Sequence, residues 1–418
     1  MRVINALTRD QRINLLVLFA AGLMFWAGLA SMLPILPLYI SDLGGNSKQI
    51  GVVMACFAIG LLSSKAWLSH MADERGRKIV LMIGMSAIAI APIGYWLFAS
   101  IPVLMAVRAL HGISIAAFAT AYSALVVDIC PPQNRGELIG YMSLVNPLGL
   151  AMGPALGGFL QSAGGYTPTF LMSAGLGLLG LLCIARVKES DAYKGMLTQH
   201  QSNHQSTSKK FWSLLVTPRI RIPAFVLLMV GIAFGTISTF VPLFIKETGV
   251  DLNIGLFYTA AAIASFSVRL LTGRASDHYG RGVFITFSLI FYGLAMIVLW
   301  QANSAVTFLI AGFLQGTGGG MLIPMVAALM ADRSHPDERG RMFGLCMTGF
   351  DLGIAGAGPS LGVVADIIGY RDIFGITAVL IAVGLLAFLT LSSKDLPHSL
   401  RFALGKGCDV YAVKEVLS

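Results

Sequence analysis

The run Gly149-Leu150-Ala151-Met152-Gly153-Pro154-Ala155-Leu156-Gly157-Gly158-Phe159 places four glycines and a proline inside a long apolar stretch with no charge. In a helix in water, glycine costs about 1 kcal/mol and proline about 3 relative to alanine, so such a run makes a poor soluble helix. In a bilayer, small residues let helices approach closely, and neighbouring helices satisfy the backbone groups that proline frees. A related run, Gly353-Ile354-Ala355-Gly356-Ala357-Gly358-Pro359-Ser360-Leu361-Gly362, follows in the second half of the chain. The pattern points to a membrane protein built from two similar halves.

Charge usage agrees. Of 418 residues only 12% are charged and 56% are hydrophobic, whereas soluble domains carry about 25% charged residues. A spanning helix needs roughly 20 apolar residues, which leaves room for about twelve spans with short loops. The N-terminal apolar run from Ile13 to Ile40 follows Arg2, Arg9 and Arg12. It exceeds the roughly 7–15-residue core of a signal peptide and is read as the first spanning helix. The net charge of +9 sits in alternate loops, at Arg75, Arg77 and Lys78, at Arg135, from Arg186 to Arg221, at Arg274 and Arg281, and at Arg333, Arg339 and Arg341. The opposite loops hold Lys48, Lys246 and Arg371. That asymmetry places both termini in the cytoplasm of a multi-pass cell (inner) membrane protein and removes any need for a nucleic-acid partner. The five scattered cysteines, Cys56, Cys130, Cys183, Cys346 and Cys408, suggest neither a metal site nor a disulfide framework.

The predicted fold is an all-α integral membrane protein with twelve transmembrane helices in two parallel six-helix repeats. Spans are expected at 13–40, 49–70, 79–98, 102–127, 136–162 and 168–187, then at 222–245, 252–273, 282–301, 304–330, 341–367 and 372–392. Residues 1–187 form the first bundle, 188–220 a polar cytoplasmic linker, 221–392 the second bundle and 393–418 a cytoplasmic tail. The tail, with Arg401, Lys406 and Lys414, is left open between lying on the inner leaflet and being disordered. At an offset of 204, Asp73, Gly76 and Arg77 map onto Asp277, Gly280 and Arg281, Gly112 onto Gly316, Asp128 onto Asp332 and Arg135 onto Arg339. Pro37 and Gly153-Pro154 map onto Pro242 and Gly358-Pro359 at 205. Six spans per half give both repeats the same orientation, a plan known among secondary transporters with a site between the repeats.

Four motifs make the chain resemble the major facilitator superfamily, and within it the twelve-helix drug:proton antiporter branch. Ser69-His70-Met71-Ala72-Asp73-Glu74-Arg75-Gly76-Arg77-Lys78 is similar to the family loop G-x-L-A-D-R-x-G-R-K, departing at Ser69 and Glu74. Its second copy, Gly273 to Arg281, has Gly282 where a base is common. The resemblance implies a cytoplasmic gate of Asp73, Gly76, Arg77, Asp128 and Arg135, repeated as Asp277, Gly280, Arg281, Asp332 and Arg339. Charge-assisted bonds there would have to break on opening; the plainer reading is that these charges only set topology, and the two are compatible. Arg108-Ala109-Leu110-His111-Gly112 resembles R-x-x-Q-G, with His111 in place of Gln and Gly312 at the second-half position of the arginine. Gly149, Gly153, Pro154, Gly157 and Gly158 match every position of the antiporter motif G-x-x-x-G-P-x-x-G-G. With Gly358 and Pro359 they form a helix-packing motif expected to seal against a helix of the other half, and they point towards export. Gly28 to Pro37 resembles the G-x5-P-x-x-P signature of helix one in drug exporters.

Chemistry inside the spans has few candidates. Asp351 lies about ten residues into its helix, roughly 15 Å deep, and its repeat partner is Asn146. A carboxylate on one side only suits a proton carrier, with a neutral packing role as the plainer alternative. An embedded Arg108 is a functional-site hypothesis, against snorkelling to headgroups. His111 titrates near neutrality when unperturbed, yet is as often structural. Lys65 and Arg269 occupy equivalent places two turns before Asp73 and Asp277, and face either the cavity or the membrane edge. Trp26, Phe118, Tyr122, Phe234, Phe240, Tyr258 and Phe266 are possible pocket aromatics, against lipid-facing or packing roles.

The reading is a secondary active transporter that exports small organic molecules by proton antiport and alternating access. Proton-coupled uptake of a sugar, organic acid or other nutrient is the nearest alternative, and a non-transporting membrane sensor a more distant one. The expected partners are the lipid bilayer, a small-molecule substrate and protons, with the chain a monomer. No cofactor is expected, because nothing matches G-x-x-x-x-G-K-[ST] and the proton gradient supplies the energy. No nucleophile pair or acid–base cluster suggests an enzyme.

Overall fold

The computed structural model describes residues 7–131, 135–187, 217–335, 338–407 and 409–413, without the side chains of Arg135, Gly136, Arg274 and Asp277. Most of the linker expected at 188–220 lies outside them. The described residues are mostly helical, with no strand among them. The helices are α1 (Arg9–Asp42), α2 (Ser47–Arg75), α3 (Arg77–Leu97), α4 (Ile101–Ile129), α5 (Arg135–Ser143), α6 (Val145–Gly164) and α7 (Tyr166–Arg186). They continue as α8 (Arg221–Thr248), α9 (Ile254–Tyr279), α10 (Arg281–Trp300), α11 (Ala305–Asp332), α12 (Arg339–Ile368), α13 (Tyr370–Leu391) and α14 (Leu396–Ala403). Among the described residues twelve helical segments are long and apolar enough to cross a membrane, with α5 and α6 counted as one from Glu137 to Gly164. Many large apolar side chains stand outward, including Leu178, Leu179 and Leu182, each about half exposed. Contiguous apolar surface of that kind requires lipid.

Several helices run a turn beyond the expected spans. Thr8 and Gln11 form a capping box ahead of α1, and Ser304 and Thr307 do the same ahead of α11. Each box satisfies amide groups that the first helical turn leaves open. The fifth span is broken at Leu144, because Pro147 has no N–H to give the preceding turn.

The chain divides into two compact units, one of Met1–Gly45, Val52–Gln205 and Asn253–Gly255, the other of Asn46–Gly51, Ser206–Leu252 and Leu256–Ser418. In the first, α1 packs on α6 and α7, and α3 on α4 and α7. In the second, α8 packs on α12 and α13, and α10 on α11 and α13. The sequence repeat is thus a repeat of contacts. Six glycines with positive φ also fall into repeat pairs: Gly44 with Gly249, Gly76 with Gly280, and Gly165 with Gly369. At Gly76 (φ 98°) and Gly280 (φ 84°) the chain reverses between two long helices, a conformation that a side chain would strain.

The Gly-Pro segment packs on two sides. Gly149, Gly153 and Gly157, four residues apart, pack against α1 of their own unit, while a Cβ at Gly158 would come 2.8 Å from Gly255 N, in the second half of the sequence. A Cβ would come 2.8 Å from Ala27 N at Gly149, 2.9 Å from Ala30 Cβ at Gly153, and 3.2 Å from Ser31 Cα at Gly157. The partner surface is itself made of small residues, which is why the backbones meet. Gly158 is buried about 100° around the helix from Gly157. In the second unit, Gly349 and Gly353 of α12 meet the backbone of α8 at Ala224 and Leu228. Gly358 is buried, and Pro359 lies inside α12.

Candidate functional site

The buried polar centre of the first unit lies on α4. Arg108 and His111 are one turn apart on the same face and both are buried. The Arg108 guanidinium carbon stands 4.6 Å from the centre of the Phe57 ring of α2, a cation–π contact. His111 Nδ1 pairs with the Tyr95 hydroxyl of α3 at 3.1 Å. Arg108 Nε and His111 Nε2 have no hydrogen-bond partner among the described residues. Two orphaned nitrogens at this depth are costly, and they present hydrogen-bonding capacity to a polar group or a proton. Snorkelling is excluded for Arg108, since its side chain is packed inside the unit.

The glycine of this motif has a mechanical cause. A Cβ at Gly112 would collide with the Phe57 carbonyl, and one at its repeat partner Gly316 would collide with the Ala261 carbonyl. Positions 57 and 261 are themselves separated by 204, so both units cross these helices in the same register. Gly312, the counterpart of Arg108, would bring a Cβ to 2.6 Å from Phe257 O. The second unit therefore has no room for the arginine. It keeps the polar pair instead: Gln315, the counterpart of His111, donates from Nε2 to the Tyr292 hydroxyl at 3.2 Å. Tyr95, Tyr292 and Gln315 were not read from the sequence. The Q-G of the second copy was the one signal available.

Each unit also has a charged end. Arg77 Nη1 donates to Asp128 Oδ2 at 2.5 Å and to Ala124 O at 2.7 Å, joining α3 to α4. The equivalent Arg281 Nε lies 3.4 Å from Asp332 Oδ2, joining α10 to α11, while its Nη1 donates to Ser276 at 2.6 Å. Asp73 is exposed, on the last turn of α2, and Arg339 is exposed at the start of α12. The side chains of Arg135 and Asp277 lie outside the described residues. Of the residues expected at this end, Arg77 with Asp128 and Arg281 with Asp332 are brought into contact.

Asp351 is half-buried on α12, next to Phe350, whose ring lies 5.8 Å from that of Phe234 on α8. Asn146 is half-buried near the start of α6. Arg269 is part-buried on α9 and its Nε has no hydrogen-bond partner among the described residues, whereas Lys65 is exposed. Of the aromatic candidates, Trp26, Phe118 and Tyr122 form one cluster. Phe118 stacks on Tyr122 at 4.5 Å and meets Trp26 edge-on at 5.9 Å. Tyr122 and Phe118 are buried packing residues, and Trp26 is part-exposed. Phe240 is fully buried, Phe234 and Phe266 are part-buried, and Tyr258 donates to Ile237 O at 3.4 Å.

A model of the Major Facilitator Superfamily matches residues 17–300 and 251–407. Quinolone resistance protein NorA of Staphylococcus aureus (strain MRSA252) is 26% identical over 348 residues, covering 81% of this chain and 87% of its own length. Multidrug resistance protein MdtG of Serratia proteamaculans (strain 568) is 26% identical over 382 residues, covering 88% and 91%. Among solved structures, the nucleoside transporter NupG superposes with a TM-score of 0.74 at 15% identity, over 90% of this chain and 98% of that one. A bacterial homologue of the lysosomal transporter Spinster gives 0.70 at 14%, over 91% and 96%. These structural likenesses concern the fold. The repeated contacts, the twelve apolar helices and the matched family model lead to one conclusion: the chain belongs to the Major Facilitator Superfamily and is a multi-pass membrane transporter.

Proposed function

We propose that the protein exports small organic molecules in exchange for protons, with Asp351 as the proton carrier and Arg108 lining the polar centre of the first unit. The observation that carries this reading is the single half-buried carboxylate on α12, whose counterpart Asn146 cannot ionise. Protonation alternates with occupancy by a cationic or polar substrate. Similarity to two drug-resistance proteins supports an exported, chemically varied substrate. The full match to the antiporter glycine-proline motif supports the same direction. Arg77, Lys78, Arg281 and Arg333 lie at the ends of their units that carry the basic loops, which supports cytoplasmic termini in the cell membrane.

The ion pairs Arg77–Asp128 and Arg281–Asp332 act as the cytoplasmic gate, each holding the ends of two helices until the unit rearranges. The test is accumulation of a quinolone, ethidium, a sugar and a nucleoside in cells producing the protein, with and without a protonophore. Lower drug accumulation that the protonophore abolishes supports export. Higher accumulation of the sugar or nucleoside contradicts it.

A further inference from the structure

The tail is not a loose end. Asp395 caps α14, accepting from the amide of His398 at 2.9 Å, and α14 docks on the first turns of α10. Thr286 donates to Ala403 O at 2.9 Å, and Phe402 is buried, its ring 6.0 Å from that of Phe388 on α13. The Phe402 backbone fills the space beside Gly282, where an added Cβ would come 2.9 Å from its carbonyl carbon. Gly405 (φ 71°) turns the chain back. Asp409 then takes two bonds from Arg333, at 2.6 Å from Nε and 3.0 Å from Nη2.

Arg333 is fully buried. It also donates to Arg219 O at 2.8 Å and to Ser392 O at 3.1 Å. It therefore gathers the approach to α8, the end of α13 and the tail at one point. Asp332, the preceding residue, is the partner of Arg281, and its carbonyl accepts from Val413 N at 2.9 Å.

The first unit makes the same joint with one side chain. Lys78 Nζ donates to Ala185 O at 2.9 Å and to Val187 O at 2.7 Å, tying the start of α3 to the end of α7. Its repeat counterpart is Gly282, which carries no side chain to do this. We infer that residues 395–413 stand in for that missing lysine. The tail fastens the start of α10 to the end of α13, and through Arg333 it positions Asp332 for its pair with Arg281. Arg333 and Asp409 are positioning residues. The inference rests on the reading of Arg281–Asp332 as a gate only for its effect on transport; the fastening itself does not depend on it. A bidentate guanidinium–carboxylate bond that is shut off from water fixes geometry as well as charge.

The test compares amide hydrogen exchange in purified full-length protein, in Asp409→Asn, and in a chain ending at Ser393 that carries Arg333→Met. The methionine removes the charge that truncation would leave buried without its partner. Exchange over residues 282–288 and 387–393 is expected to rise at least tenfold on truncation and severalfold in Asp409→Asn, while residues 79–84 of α3 stay unchanged. Adding Gly282→Lys to the truncated chain is expected to bring both segments back to within about twofold of full length. Unchanged exchange in Asp409→Asn and on truncation, or a rise that the lysine does not reverse, overturns the inference. Ethidium export measured on the same variants separates the two readings: restored exchange without any change in export keeps the fastening and removes the gate role of Arg281–Asp332.

Discussion

His111 Nδ1 and the Tyr95 hydroxyl lie 3.1 Å apart in the buried interior of the first unit, joining α4 to α3. The second unit repeats the bond with Gln315 and Tyr292 at 3.2 Å. An imidazole and an amide thus fill one structural role. His111→Gln is expected to fold normally and keep at least about half of the export rate, while His111→Leu leaves the Tyr95 hydroxyl unpaired and costs about 1–3 kcal/mol. Thermal unfolding in detergent and export assays on both variants measure this. Complete loss of export in well-folded His111→Gln would make the histidine a proton carrier instead.

The α1–α6 contact gives a prediction about size. Gly153→Leu drives a side chain into Ala30 and Ser31, so overpacking is expected to cost about 1–3 kcal/mol or more. Gly356 has open space around its Cβ position, and Gly356→Ala is expected to be neutral or slightly stabilising. Paired thermal melts decide; an undiminished melting temperature in Gly153→Leu would remove close packing as the reason for glycine there.

At the charged end of the first unit, Arg77 and Asp128 are each less than one-quarter exposed. Asp128→Asn keeps the shape but removes the charge, and export is expected to fall about tenfold, with partial recovery when Arg77 and Asp128 are exchanged. A hydrogen bond to a charged group is worth about 1.5–3 kcal/mol, less where water reaches it. Export by Asp128→Asn at the wild-type rate would leave these charges with topology alone.

The cap of α14 has a pH dependence of known sign. The Asp395 carboxyl is held below its ordinary value, first by the His398 amide and then by the His398 ring. A carboxyl depressed in the folded state contributes stability above its unfolded value of about 3.9 and loses it as pH falls through the folded one. Exchange protection of residues 396–403 is therefore expected to decline below about pH 4. Asp395→Ala is expected to lower that protection already at pH 7, where Asp395→Ser retains most of it. Equal protection in all three proteins would show that docking on α10, rather than the cap, orders the helix.

Much of this architecture was legible because its signals are local or repeated. Apolar runs gave the spans, and the offset of 204 gave the repeated charges, of which Arg77 meets Asp128 and Arg281 meets Asp332. Partnership across the fold was not legible. The glycine stripe of α6 faces its own unit because α1 offers Ala27, Ala30 and Ser31, and no residue within α6 says so. Tyr95 and Tyr292 looked like ordinary apolar-span tyrosines until their hydroxyls met His111 and Gln315. Arg333 and Asp409 are 76 residues apart in sequence, and α14 is only eight residues long, too short for a strong periodic signal. Gly282 departs visibly from the family loop, but what replaces its side chain is set by the tail, more than 100 residues away.

The proposed role of Asp351 is to exchange a proton for substrate. The most direct measurement uses inside-out membrane vesicles with an acidic lumen and a luminal pH dye, to which a quinolone or ethidium is added. Substrate-dependent alkalinisation of the lumen is expected from the wild type, with its loss, by at least about tenfold, in Asp351→Asn that is folded and still binds substrate. Undiminished alkalinisation in Asp351→Asn, or acidification of the lumen by the wild type on adding substrate, would contradict it.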